Sequence, residues 1–382
     1  MKFYIKNIAN PFLILAIAWT LCLALYKLEW AQLLPELEDN LLILIISFVI
    51  LYGVTGVIFS KVKISTRPVD PRRTNVIFLL IVNTIAWAMN FAVSGIPLLQ
   101  GVRGEDFGLG SLAVLAFTLN GYTSVFCFYL YLSSKKKRYL LFAIYCLFIF
   151  LLVYSRGYLL MSMLTMFFVW INYKNPYLTI KTSVILLTAF LAIAYLFGVL
   201  GNLRTIAGVG ENAVEPENFD DTYNSDLILL IGDASESFKT NYIPDEYFWA
   251  YLYLTSPIGN LQYNIKPYPI DFVRNVPRLV LNELMFDSIS NRLGEMFNMK
   301  RKKAELIVQT LTVSSILAGS YVTAGWGGMI FVILGIWAFG IIYFLIIARN
   351  PLGVIGISIL STIFLRKTRR LSFGRFIIRK KR

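Results

Sequence analysis

The sequence predicts an all-α polytopic membrane protein of about 8–10 transmembrane helices with one large, partly helical loop on the extracytoplasmic side. Three observations predict it. The 382-residue chain is 57% hydrophobic and 15% aromatic, with a mean hydropathy of +0.65, above the apolar share of ordinary soluble domains. Runs such as Leu41 to Ser60 and Val184 to Leu200 stay apolar over the roughly 17–25 residues that a helix needs to cross the hydrocarbon. The charges segregate by connection rather than spreading over a soluble face, so the net charge of +14 reflects topology and not nucleic acid.

The first apolar run, Pro11 to Tyr26, has no small-residue cleavage site and is followed by many more spans, so it reads as a retained first span. Further spans are expected near 41–60, 75–95, 111–132, 139–154, 158–173 and 180–200. Lys61, Lys63, Arg67, Arg72 and Arg73 follow the second, and Lys135, Lys136, Lys137 and Arg138 follow the fourth. The positive-inside rule makes both connections cytoplasmic, with the N-terminus and its Lys2 and Lys6. Glu29, Glu36, Glu38 and Asp39, then Glu105 and Asp106, occupy the alternate connections, which face outward.

Residues 1–200 thus form seven spans, and the seventh delivers residues 201–305 to the outer face. That segment holds fifteen of the chain's 22 acids. It should fold rather than dangle, because it contains Leu227 to Ile231, the run Tyr247, Phe248, Trp249, Tyr251 and Tyr253, and Pro277 to Met285. The simplest reading of the aromatic run is a belt at the headgroup level.

Residues 306–365 are expected to return to the bilayer, with an eighth span near 325–347. Pro351 to Leu365 is only fifteen residues, and the tail at 366–382 carries nine Lys or Arg and no acid. Either that segment is a re-entrant or interfacial hairpin, or Ala304 to Ala324, preceded by Lys300 to Lys303, is a further span. The basic tail suits the anionic lipids of the cytoplasmic leaflet.

The chain has no histidine, which removes the commonest general base and zinc ligand. Cys22, Cys127 and Cys146 lie in apolar runs and read as packing residues. No Gly-rich nucleotide loop, metal-ligand cluster or Asp-x-Asp pair is present, so the pattern indicates no cofactor and no metal. Every acid except Asp70 falls in a segment assigned to the outside, unlike the mid-span carboxylates of ion-coupled transporters.

Arg156, between Ser155 and Gly157 in the middle of an apolar run, belongs at the outer tip of a tight helical hairpin. Arg204, in Gly201-Asn202-Leu203-Arg204, opens the large loop, and Arg103 lies between spans three and four. Arginine keeps its charge at any pH and offers a planar fork to phosphate, so these three suit a pyrophosphate at the headgroup level. Arg274 and Arg278 join them as substrate-binding candidates, with Asp271, Glu283 and Asp287 nearby as candidates for a base toward a sugar hydroxyl. A helix starting at Pro277 would leave Arg278 and Glu283 at the wrong spacing to pair.

The Ser-Arg-Gly tip at 155–157, Gly201 to Arg204, the stretch Leu252-Tyr253-Leu254-Thr255-Ser256-Pro257-Ile258-Gly259-Asn260-Leu261, and Ala324-Gly325-Trp326-Gly327-Gly328 leading into a span together resemble the Wzy-type O-antigen and capsule repeat-unit polymerases. The likeness runs from about Gly95 onward, and the acid often found before those glycines in the family is absent here. The resemblance implies a GT-C-like architecture in the bacterial inner membrane. It also implies a metal-independent glycosyltransferase that joins undecaprenyl-pyrophosphate-linked glycans on the periplasmic face, assisted by a chain-length regulator. The O-antigen ligase shares the layout but resembles its own kin in using a loop histidine. A lipid-linked oligosaccharide flippase has short loops and a charged central cavity.

Overall fold

The computed structural model describes residues 4–62, 64–65, 75–100, 107–153, 155–212, 226–266, 271–285, 302–308, 313–368 and 370–371, with isolated positions between 290 and 299. The described chain is almost wholly helical. In order the helices are α1 Ile5–Ile8, α2 Pro11–Tyr26, α3 Asp39–Ser60, α4 Val76–Ser94, α5 Pro97–Gln100, α6 Ser111–Ser134, α7 Lys137–Leu152, α8 Arg156–Lys174 and α9 Ile180–Asn212. They continue with α10 Asp226–Ile231, α11 Glu236–Lys239, α12 Glu246–Tyr263, α13 Phe272–Leu279, a π-helical turn Val280–Leu284, α14 Ile316–Ala348 and α15 Gly353–Thr368. Two-residue strands, β1 Val313–Ser314 and β2 Arg370–Leu371, pair antiparallel. Among the described residues, five helices are long and apolar enough to cross a membrane, those at α3, α4, α6, α9 and α14. The chain is a helical membrane protein.

Two packed groups make up the bundle. In the first, α2, α3 and α14 meet around Phe12, Tyr52 and Phe344, all nearly inaccessible. Asn10 starts α2 by accepting from the Leu13 amide at 3.0 Å and donates to the Gly56 carbonyl of α3 at 2.9 Å, so one side chain caps a helix and joins it to its neighbour. In the second group, α4, α6 and α7 are tied by buried amides. Asn83 Nδ2 donates to Asn120 Oδ1, and Asn120 Nδ2 to the Cys146 carbonyl, each at 2.8 Å. Such bonds hold helices together where neither water nor a hydrophobic force between helices is available.

Helix α15 joins the groups, and both sequence-level options for this region are corrected. Residues 302–308 are not helical and 313–314 are strand, so among the described residues no separate helix covers 304–324. The apolar stretch after Pro351 is a single buried helix rather than a surface hairpin, because its face of Ser358, Ser361 and Thr362 has partners inside the bundle. Thr165 of α8 donates to Thr362 at 2.9 Å, Asn172 of α8 to Ser358 at 3.1 Å, and Ser361 to the Ala9 carbonyl at 3.3 Å.

Helix α9 continues unbroken through Gly201 and Arg204 to Asn212, so the loop expected to open at Gly201 begins later. Its first twenty residues are almost entirely exposed, and it packs on α12. A side chain at Gly198 would collide with the Glu246 carbonyl, and Phe197 meets Tyr253 edge-on at 5.0 Å.

The aromatic run at 247–253 is a core, not an interfacial belt. Phe248, Trp249 and Tyr251 are buried against Phe238 and against Trp30 from the connection between α2 and α3. Gln32 N donates to Asp233 O and Ser235 N to Trp30 O, both at 2.8 Å, which stitches the two segments together. The stretch Thr255 to Gln262 is buried throughout, and its asparagines clamp residues 302–308. Asn260 Oδ1 accepts from Ile307 N at 2.9 Å, Asn264 pairs with both backbone groups of Glu305, and Lys266 binds the Glu305 carboxylate at 2.8 Å.

Candidate functional site

Helix α14 is broken. Ala324 (φ −144°) and Gly325 (φ 64°, ψ −155°) leave helical geometry, and only glycine takes the second conformation without strain. The bend is sharp enough that a Cβ on Gly328 would lie 2.6 Å from the Ser320 carbonyl, although these residues would be about 12 Å apart along a straight helix. A short arm, 316–323, therefore folds back against a long arm, 326–348. The long arm spans roughly 34 Å, enough for a crossing. The glycines at 325, 327 and 328 mark this bend and, as the sequence suggested, lead into the long helical arm.

Against the bend lies α13 with its π turn. Asp271 opens α13 by accepting from Arg274 N at 3.2 Å, so the helix begins at Phe272 rather than Pro277. Phe272 packs over Gly327 and meets Phe331 at 6.2 Å, and Leu284 faces Gly335. The turn from Val280 to Leu284 widens to π geometry, a local departure that is frequent at functional sites. It carries Leu281, Asn282 and Glu283 into the interior, and Glu283 is only 3% exposed. A Cβ on Gly319 would lie 2.8 Å from Glu283 Oε1 and 3.3 Å from Oε2, so the carboxylate rests on bare backbone of the short arm. Asn282 accepts from Ser290 at 3.3 Å.

The structure thus brings together Asp271, Arg274, Arg278 and Glu283 on one continuous helical segment, with unequal surroundings. Asp271 is exposed and engaged as a cap, whereas Glu283 is buried, so of the two described candidates Glu283 is the enclosed acid. Asp287 lies outside the described residues. Arg274 is exposed. Arg278 is half-buried, its Nη1 donates to Asn275 Oδ1 at 3.5 Å, and its buried Nε has no hydrogen-bond partner among the described residues. Arg156 is the first residue of α8, just past the turn from α7, and Arg204 lies within α9; neither side chain is described. Arg103 lies outside the described residues.

Gly319, Ser320 and the fold-back of α14 were not among the sequence candidates. Nothing local distinguishes Gly319, whose importance comes from a partner on another element. Beside the bend, Asn40, Ile43, Leu44 and Ser47 of α3 face Trp326 across an open groove of about 400 Å³. No group of three or more metal-ligating side chains occurs among the described residues. No family model, curated protein or solved structure matches the chain.

Proposed function

We propose that the protein is a metal-independent glycosyltransferase of the bacterial inner membrane that polymerises undecaprenyl-pyrophosphate-linked repeat units on the periplasmic face. The observation that carries the reading is Glu283, an acid buried at the fold-back of a membrane-crossing helix. An ionisable group in that setting is costly to maintain and marks function by default. In the proposed reaction its carboxylate accepts the proton of the acceptor hydroxyl, whose oxygen bonds to the anomeric carbon as the bond to the lipid pyrophosphate breaks. Arg278, with Arg274 one turn away and Arg156, Arg204 and Arg103 at the expected headgroup level, neutralises the departing pyrophosphate. The acid that the polymerase family often carries before its helix glycines is missing from this sequence at that point, and in this reading Glu283 supplies it through space at Gly319. A chain-length regulator is the proposed protein partner.

The test is glycan laddering in a deletion strain complemented with Glu283→Gln at matched membrane protein level. Loss of a general base reduces rate roughly 100- to 10,000-fold, so single repeat units should remain. Normal ladders from this variant would defeat the assignment. Absence of even single units in the deletion strain itself would indicate a flippase or ligase instead.

A further inference from the structure

Irregular backbone buried in a membrane bundle must find its hydrogen bonds inside the protein, since lipid supplies none. The stem that leads into the short arm of α14 is such a stretch. Val313–Ser314 is extended rather than helical, and Ser314, Ser315 and Ile316 are all buried. Ser315 opens the short arm by accepting from Ala318 N at 3.2 Å, whereas the buried Ser314 Oγ has no hydrogen-bond partner among the described residues. The backbone of the stem is paired with the C-terminal strand, Val313 opposite Leu371 and Ser314 opposite Arg370.

The path of α15 gives that pairing its meaning. Val354 and Ile355, at its start, pack with Leu130 of α6 and Tyr139 of α7. Phe364, one turn before its end, lines the same small cavity as Ile316 and Leu317 of the short arm, and β1 packs on α12. Helix α15 therefore runs from the Tyr139 end of the bundle to the stem, and its bonds to Thr165, Asn172 and the Ala9 carbonyl fix it on the way. The far end of the short arm meets the break at Gly325 instead of continuous helix. Between the stem and that break lies Gly319, against which the Glu283 carboxylate rests. We propose that the C-terminal strand is a clasp: by pairing with the stem, Arg370–Leu371 holds the short arm folded back, so that Gly319 stays against Glu283 and the carboxylate stays enclosed. The clasp does not rest on the glycosyltransferase reading, and its readouts are thiol reactions, not glycan ladders.

The first test is cross-linking in the full chain. Residues directly opposite in an antiparallel pair have Cα atoms about 4.5–5.5 Å apart, within disulfide reach, so Val313→Cys/Leu371→Cys should cross-link on mild oxidation. Ser314→Cys/Leu371→Cys, out of register and on opposite faces, should do so at least about tenfold more slowly. No cross-link, or equal rates in the two pairs, would overturn the pairing. The second test measures positioning. Glu283→Cys should react slowly with a water-soluble maleimide in the full chain and about tenfold faster once residues 369–382 are removed, because the lost backbone bonds favour local opening. Removing residues 375–382 alone should change the rate less than about twofold. The buried Cys22, Cys127 and Cys146 report global unfolding and should stay unreactive. If the truncation exposes them, Arg370→Pro/Leu371→Pro in the full chain, which deletes whichever amide faces β1, replaces it. An unchanged Glu283→Cys rate in the variant that keeps its native cysteines protected would overturn the clasp.

Discussion

The Glu283 carboxylate lies against the bare backbone of Gly319, with Oε1 2.8 Å from where a Cβ would be. Gly319→Ala therefore forces either the acid or the short arm of α14 to move. Overpacking of this kind costs about 1–3 kcal/mol. Gly319→Ala should lower the unfolding temperature in detergent and shorten or abolish the glycan ladder, while Glu283→Gln should abolish the ladder at near wild-type stability. A Gly319→Ala protein with unchanged melting and unchanged ladder would show that the contact is not tight.

Asn264 is the second case, and its readout is proteolytic. It binds both backbone groups of Glu305, and the clamped segment presents exposed Lys302 and Lys303. Asn264→Ala removes two bonds worth about 1 kcal/mol each. Trypsin should then cleave after Lys302 or Lys303 roughly ten- to thirtyfold faster, in proportion to local opening. Unchanged cleavage would mean that the segment is held by other contacts.

Asn120 tests the second helical group. Asn120→Leu removes the oxygen acceptor of the buried Asn83, leaving it only Cys146 Sγ at 4.0 Å, and removes the side-chain donor to the Cys146 carbonyl, at a cost of about 1–3 kcal/mol. Thermal unfolding in detergent should fall accordingly. Paired replacement of Asn83 and Asn120 by leucine should recover part of the loss, since no orphaned amide remains. Recovery failing altogether would point to packing rather than hydrogen bonding.

Tyr251 supplies a pH test. Burial raises its hydroxyl from the ordinary 10.0 to about 12, with Glu29 acting in the same direction and the amides of Trp30 and Ala31 opposing. Because the folded value lies above the unfolded one, the stability from burying the neutral hydroxyl is fully present below about 10 and is lost as pH rises through about 12, whereas the Trp30 amide, which donates to this oxygen at 3.1 Å, favours the ionised form. Tyrosinate absorbance of wild type minus Tyr251→Phe should show one late-titrating group. A difference curve centred at the ordinary value would refute the burial argument.

The apolar runs made the helices legible because bilayer thickness constrains their length, and α3, α4 and α6 lie within a few residues of the expected spans. What the sequence did not reveal was set by partners distant along the chain. The 247–253 aromatics read as a headgroup belt until Trp30 is seen packed against Tyr251, with ring centroids 5.3 Å apart. Gly201 looked like the mouth of a loop, yet its packing against Trp249 keeps α9 helical there. Asp271, Glu283 and Asp287 were equal candidates by spacing, and only the approach of Gly319 shows which of the described acids is enclosed.

The bonds of α15 also order events in time during synthesis. Thr165, Asn172 and the Ala9 carbonyl all have partners within Ser358 to Thr362, which leaves the ribosome after every other helix described here except α15 itself has been made. Until then α2 and α8 must wait in the bilayer with these polar faces unmatched. The nascent chain is therefore exposed to mispairing and to quality-control proteases up to its closing step, and a truncation before Gly353 would leave it permanently in that state.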